Sequence, residues 1–127
     1  MIALIWNMRG FGRKGRRTQL KDFLRRVRVD IICLQETLKT DFSDPELRSL
    51  EFGDRFHWCW LPVNGHSVGI LLGVRDSTME VGNLDRGQYF LSNVVYHRAT
   101  KFKWEFIGVC GLANHALSGE FLLELEN

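Results

Sequence analysis

Two polar residues stand at the ends of two short apolar segments, and their side chains suit the binding of a divalent cation. Asn7 closes the apolar run of residues 2–7, and Glu36 follows the apolar run of residues 29–34. Open α/β sheets place their ligands beyond the carboxyl ends of the strands. A carboxylate beside an amide is a suitable oxygen donor set for a hard cation such as Mg²⁺. We therefore expect Asn7 and Glu36 to share one site.

The segments around these two residues predict a strand, a helix and a second strand. Residues 2–7 and 29–34 are short and apolar, as strands buried on both faces are. Between them, apolar residues recur at helical spacing and predict an amphipathic helix over residues 16–28; these are Leu20, Phe23, Leu24 and Val27. Such a unit brings the ends of the two strands to one edge of a sheet.

The rest of the chain predicts a short helix, two hairpins and a final helix. Asp44 is expected to cap a helix that has Pro45 in its first turn and ends near residues 50–52. Strands are expected at residues 56–63 and 68–74, joined across Asn64-Gly65-His66, and again at residues 89–98 and 102–109. Ser118 is expected to begin the last helix. The sequence therefore predicts an α/β fold with a mixed sheet, or two sheets face to face with helices outside.

Positive charge is concentrated in the first third of the chain. Residues 1–39 contain ten Lys or Arg and three Asp or Glu, whereas residues 40–127 contain seven and twelve. This asymmetry favours a phosphate-bearing polymer as a partner. The alternative is a solvated loop and helix start, in which the basic side chains contact only water. The basic residues concerned are Arg13, Lys14, Arg16 and Arg17.

No segment predicts a membrane span, a signal peptide, a disulfide framework or a zinc site. The chain has no run of about 18 apolar residues, and its three cysteines are scattered at Cys33, Cys59 and Cys110. We expect an intracellular protein with no membrane partner.

Four segments resemble the endonuclease/exonuclease/phosphatase superfamily, and the resemblance is nearest to the endonuclease domain of plant non-LTR (LINE-type) retrotransposons. Residues 6–10 are similar to the family's Trp-Asn-hydrophobic-Arg-Gly stretch, and residues 34–37 read Leu-Gln-Glu-Thr. Residues 67–73 resemble its Ser-Gly-Gly-Ile-Leu strand. Residues 108–113 stand where the family has Asn-Val-Tyr-Gly-Pro-Ala.

The resemblance implies a fold, a reaction and a set of site residues. The fold would be the N-terminal half of a four-layer α/β sandwich, with two facing mixed β-sheets and outer helices, as one partial domain over residues 1–127. The reaction would be Mg²⁺-dependent hydrolysis of DNA phosphodiesters. Asn7 and Glu36 would be catalytic and would hold the metal, Glu36 through its carboxylate. The residues that would bind phosphate or nucleic acid are Arg9, Gln35, Arg13, Lys14, Arg16 and Arg17.

The chain also departs from the family pattern. The family's Gly-Asp-Phe-Asn and Ser-Asp-His strings do not occur in residues 1–127, and Cys110 replaces the tyrosine of Asn-Val-Tyr. We therefore expect the chain to be inactive alone and to bind Mg²⁺ weakly or not at all. An unfinished sheet is expected to self-associate.

Two alternative functions remain open from the sequence. One is a non-catalytic remnant that binds nucleic acid weakly through its basic N-terminal loop and helix. The other is a superfamily phosphatase that acts on a small phosphorylated substrate. A protein that acts on DNA would be expected in the nucleus.

Overall fold

A computed structural model describes residues 1–64 and 67–109 of the protein, which form two β-sheets and two helices. No helix within these ranges is long and apolar enough to cross a membrane. The predictions made for Gly65, His66, Cys110 and residues 111–127 lie outside the described residues. The elements in chain order are β1 (Ala3–Asn7), α1 (Lys14–Arg26), β2 (Ile31–Gln35), α2 (Asp44–Arg48), β3 (Phe56–Leu61), β4 (Ile70–Arg75), β5 (Met79–Arg86), β6 (Phe90–His97) and β7 (Lys103–Val109).

The first sheet has the strand order β1-β2-β4-β3, and the second has the order β5-β6-β7. Strands β1 and β2 are parallel, with Asn7 opposite Gln35. The other pairs of the first sheet are antiparallel, as are both pairs of the second. Strands β2 and β4 are buried along nearly their whole length because they lie at the centre of the first sheet, which explains their continuous apolar sequences.

Two hydrophobic cores lie on the two faces of the first sheet. On one face, Ile32 and Leu34 pack with Leu20 and Leu24 of α1. On the other, the alternate residues Ile31 and Cys33 pack against the second sheet. The predicted α/β fold with two facing sheets and outer helices is therefore confirmed. In the described residues the helices cover the first sheet.

The helix boundaries differ slightly from those predicted. Helix α1 begins two residues earlier than expected and ends at Arg26. The cap of α2 is Ser43 rather than Asp44. The Ser43 hydroxyl accepts from the Glu46 backbone N–H at 3.3 Å, and the Glu46 carboxylate accepts from the Ser43 N–H at 3.0 Å. This reciprocal capping box satisfies two backbone donors, which Asp44 as the cap would not do.

Strand β5 was not predicted. Its residues are mostly polar and exposed, and its pairing with β6 is interrupted by a bulge between Val81 and Leu84. The Asn93 amide donates to the Asn83 carbonyl across this bulge at 3.1 Å. Because the strand lacks the apolar alternation of a half-buried strand, its sequence carries no strand signal.

Candidate metal and phosphate site

Asn7 and Glu36 are in direct contact at the carboxyl end of the parallel pair β1 and β2. Asn7 is the last residue of β1, and Glu36 comes one residue after β2. Both side chains are half-buried, and the Asn7 Nδ2 group donates a hydrogen bond to the Glu36 carboxylate. Their expected proximity is therefore confirmed. Their chemical role stays a prediction.

The Asn7 side chain is fixed at both ends of its amide. Its Oδ1 atom accepts from the Arg9 backbone N–H at 3.0 Å, and its Nδ2 atom faces the Glu36 carboxylate. A carboxylate needs a donor and a backbone N–H needs an acceptor, so the reversed amide would leave both contacts unfavourable. In this arrangement the Asn7 amide restricts the orientation of the Glu36 carboxylate.

The backbone pairing of β1 and β2 continues beyond the strands and holds the site together. Three hydrogen bonds of 2.8 Å join the two segments past Asn7: Met8 to Gln35, Gly10 to Glu36 and Phe11 to Thr37, in each case from N–H to carbonyl. Gln35 is half-buried and lies opposite Asn7. The residues expected to act together are thus held by backbone bonds as well as by the contact between Asn7 and Glu36.

Two site residues have a backbone conformation that L residues seldom adopt. Arg9 has φ 51° and Glu36 has φ 52°. Residues other than glycine in this left-handed region cost of order 1–3 kcal/mol and cluster at functional sites. Here the strain turns the chain immediately after each strand. The sequence did not predict this left-handed conformation, because neither residue is a glycine or an asparagine.

Thr37, which follows Glu36, lies against Gly69 in the loop before β4, and neither residue was predicted to belong to the site. Gly69 has φ +94°, and a Cβ there would lie 2.4 Å from the Thr37 Oγ1 atom. The Leu38 N–H donates to the Val68 carbonyl at 2.9 Å. The Thr37 hydroxyl is buried and has no hydrogen-bond partner among the described residues. Close backbone approach therefore requires glycine at position 69.

Arg16 and Arg17, which were predicted to bind nucleic acid, make contacts within the protein. The Arg17 Nη1 group donates to the Phe11 carbonyl at 2.9 Å, so it braces the loop between β1 and α1. The Arg16 guanidinium lies over the Trp6 ring, 5.5 Å from its centroid. Both arginines are half-buried. They are therefore less available to a polymer than the sequence suggested.

Arg9, Arg13 and Lys14 are exposed around the start of α1. Arg13 occupies the N-cap position without a side-chain cap, and the first turn contains no acidic residue. The positive end of the helix dipole makes basic residues unfavourable there, whereas an anion is favoured by both the dipole and the free N–H groups. This helix start is thus suited to a phosphate group.

The donor set suits one weakly held Mg²⁺ ion. Magnesium is usually bound by one or two carboxylates, with water and substrate phosphate completing its shell. Glu36 supplies such a carboxylate, and the Asn7 Oδ1 atom has a second lone pair beside it. No group of three or more potential ligands among His, Cys, Asp and Glu occurs in the described residues. Asn7 and Glu36 can therefore supply part of the coordination shell of Mg²⁺.

Comparisons with known proteins identify the family and the fold of the chain. A family model described as "Endonuclease/Exonuclease/phosphatase family" matches residues 4–117. The chain has no significant match among curated proteins. Among solved structures it is similar to the AP endonuclease LMAP from Leishmania major, with a TM-score of 0.60 and 17% sequence identity. That alignment covers 84% of this chain and 39% of the other, so the likeness shows the fold over a minor part of the longer chain.

Proposed function

The chain belongs to the endonuclease/exonuclease/phosphatase family, and from this premise we propose that it carries part of the metal and phosphate site of a Mg²⁺-dependent DNA endonuclease. The observation that carries the proposal is the hydrogen bond from the Asn7 amide to the Glu36 carboxylate at the end of two parallel strands. The resemblance of residues 6–10 and 34–37 to LINE-type retrotransposon endonucleases supports the same interpretation. A nuclear location follows from action on DNA.

Each residue has a defined task in this proposal. Glu36 would hold Mg²⁺, which would supply charge neutralisation at the phosphate oxygens and stabilisation of the leaving oxygen. Asn7 holds the Glu36 carboxylate in one orientation. Gln35 lies beside them at the end of β2, where its amide can donate to a phosphate oxygen.

The exposed basic residues recognise the polymer rather than a small substrate. Arg9, Arg13 and Lys14 surround the start of α1, and each contact with a phosphate releases a counterion from DNA. Several such contacts require a nucleic-acid backbone with more than one phosphate group. This distribution favours DNA over the small phosphorylated substrate of a phosphatase.

We further propose that residues 1–127 do not cleave DNA by themselves. The motifs that supply the general base and the partner aspartates in the resembling family do not occur among them. Catalysis of phosphoryl transfer depends on positioning and on electrostatic stabilisation, and loss of one stabilising donor alone can lower the rate by about a hundredfold or more. The second candidate function is therefore DNA binding without catalysis, which the exposed basic residues around the start of α1 favour.

Plasmid nicking and DNA binding test the proposal together. We expect no Mg²⁺-dependent nicking of supercoiled plasmid by the chain. In fluorescence anisotropy, we expect weak binding to a DNA duplex that Mg²⁺ strengthens in the original protein but not in Glu36→Gln. The matched control is Glu80→Gln, which removes an exposed carboxylate of β5 and should preserve the effect of Mg²⁺.

Two results would contradict the proposal in different ways. Nicking that disappears in Glu36→Ala would show a working nuclease and overturn the claim that the chain is inactive alone. A complete lack of DNA binding at low salt would reject nucleic acid as the partner.

A further inference from the structure

A basic cavity lies at the end of α1 remote from Arg13 and Lys14. It has a volume of about 230 Å³ and contains the arginine pocket, which we define as Arg25, Arg26, Arg28 and Arg75. Helix α1 has 13 residues, so about 20 Å of helix separates this cavity from the helix start at Arg13 and Lys14. Arg26 also lines the groove that holds Trp6 and Arg16, whereas Arg25, Arg28 and Arg75 do not.

The carboxylate that lines the cavity already accepts three hydrogen bonds. Glu51 is 6% exposed. Its carboxylate accepts from the Phe56 N–H, the Trp58 Nε1–H and the Arg48 guanidinium, each at 3.0 Å. Burial raises the pKa of Glu51, but these hydrogen bonds outweigh burial and leave the pKa below its ordinary value. Glu51 thus remains charged, with its acceptor sites directed to groups other than the arginine pocket.

The other nearby carboxylates leave positive charge in excess. Asp54 is shared by Arg75 at 2.6 Å and Arg28 at 3.6 Å. Asp22 pairs with Arg26 at 3.1 Å, but both side chains are more than half exposed, so water screens the pair. Within the described part of the chain, Arg25 forms no ion pair.

Arg25 is held by an aromatic ring. Its guanidinium lies 5.3 Å from the centroid of Phe52, which is 42% exposed. Phe52 has φ 47° and is followed by Gly53 at φ 86°, so a strained turn places this ring beside the arginine. Strain of this kind persists where the surrounding structure enforces it, often at binding sites. Stacking leaves the guanidinium edge free to donate.

The helix dipole accounts for only part of this arrangement. Arg25 and Arg26 lie in the last turn of α1, where basic residues offset the negative end of the dipole. Arg28 and Arg75 lie outside the helix, and Arg75 is nearly buried with its Nε group bound to the Val29 carbonyl at 2.8 Å. Four arginines lining one cavity exceed what the dipole requires.

We propose that the arginine pocket binds a phosphate or diphosphate group. Arginine donates two parallel hydrogen bonds to phosphate oxygens, and several arginines can share one such anion. The cavity is smaller than the roughly 300–1,000 Å³ of sites for drug-sized ligands, which favours a phosphate group over a whole nucleotide. The group can belong to a free small anion or to the end of a nucleic-acid strand. This inference does not depend on the proposed endonuclease function.

Inorganic pyrophosphate is the probe, and the indole N–H resonance of Trp58 is the reporter in NMR titrations of the full chain. The Trp58 indole donates to Glu51, which lines the cavity. The Trp6 indole reports on the other basic region because Arg16 lies over it. Arg25→Ala and Arg28→Ala each remove one charge at the cavity surface. The matched control is Lys103→Ala, which removes one exposed charge from β7.

We expect pyrophosphate to shift the Trp58 resonance at low salt. Arg25→Ala and Arg28→Ala should each weaken the apparent affinity about fivefold or more, whereas Lys103→Ala should not change it. Oligonucleotides with and without a 5′-phosphate then separate the two sources of the group. A shift only with the phosphorylated strand indicates a strand end, and a shift with pyrophosphate alone indicates a free anion. An unmoved Trp58 resonance, or equal affinity in Arg25→Ala, would overturn the inference.

Discussion

The Asn7 amide donates to the Glu36 carboxylate across the parallel strands β1 and β2, while the Arg9 backbone N–H fixes the other end of the same amide. Asn7 therefore orients the Glu36 carboxylate, whether or not it also contacts a ligand. The neutral amide matters because it offers a donor to the carboxylate without adding charge. Its replacement by a second carboxylate is accordingly the most informative change at this position.

Asn7→Asp should strengthen Mg²⁺ binding and weaken the metal-free fold. Two carboxylates in contact repel each other, which raises the pKa of one of them and lowers stability at neutral pH. Mg²⁺ relieves that repulsion and gains a second ligand. Thermal unfolding with and without Mg²⁺ measures both effects. Asn7→Ala is the control, since it removes the donor without adding charge, and an equal response to Mg²⁺ in both variants would contradict the expectation.

Mutation of Arg13 and Lys14 should affect DNA binding, whereas mutation of Arg17 should affect stability. Arg13→Ala with Lys14→Ala should weaken DNA binding and reduce the slope of log affinity against log salt by about 0.9 for each phosphate that the variant no longer neutralises. The melting temperature should hardly change, because both side chains are exposed. Arg17→Ala should lower the melting temperature, because its guanidinium bonds to the Phe11 carbonyl. Anisotropy titrations at several salt concentrations, with Lys103→Ala as control, test the difference.

Substitution of Gly69 by alanine should lower the free energy of unfolding more than the same substitution at Gly53, which lies in an open turn. Gly53 has φ +86° with no atom near its missing Cβ, so Gly53→Ala should cost about 1–2 kcal/mol from conformation alone. Gly69→Ala adds a 2.4 Å contact with the Thr37 hydroxyl oxygen and should cost at least about 1 kcal/mol more. Denaturant unfolding compares the two. Recovery in Gly69→Ala with Thr37→Ala would assign the excess to that contact, and equal costs would refute it.

Self-association through strand edges is a further expectation. Ile5 of β1 is 58% exposed and Ile107 of β7 is 55% exposed, and both strands are sheet edges in the described residues. Edge strands with exposed apolar side chains promote pairing between chains. Ile5→Lys and Ile107→Lys should reduce the sedimentation coefficient at equal concentration. Leu38→Lys is the control because Leu38 is 53% exposed but lies outside the sheets. A monodisperse monomer of the original chain would contradict the expectation.

The sequence was informative where local patterns determine structure. The apolar runs before Asn7 and Glu36 and the helical spacing between them were sufficient to predict that the two residues meet. The left-handed conformation of Glu36 was not predictable, because no glycine or asparagine marks it. The contacts of Arg16 and Arg17 were also hidden, since they depend on Trp6 and Phe11 being brought to the helix by the fold.

The most direct test of the central claim is a Mg²⁺ titration followed by NMR through the side-chain amide resonances of Asn7. One of the two amide protons donates to Glu36, so the pair reports directly on its carboxylate. We expect weak binding that shifts both resonances, becomes tighter when a DNA oligonucleotide supplies phosphate ligands, and is lost in Glu36→Gln. Tight binding that survives Glu36→Gln, or Asn7 resonances that do not respond to Mg²⁺ with or without DNA, would contradict the assignment of Asn7 and Glu36 as the metal and phosphate site.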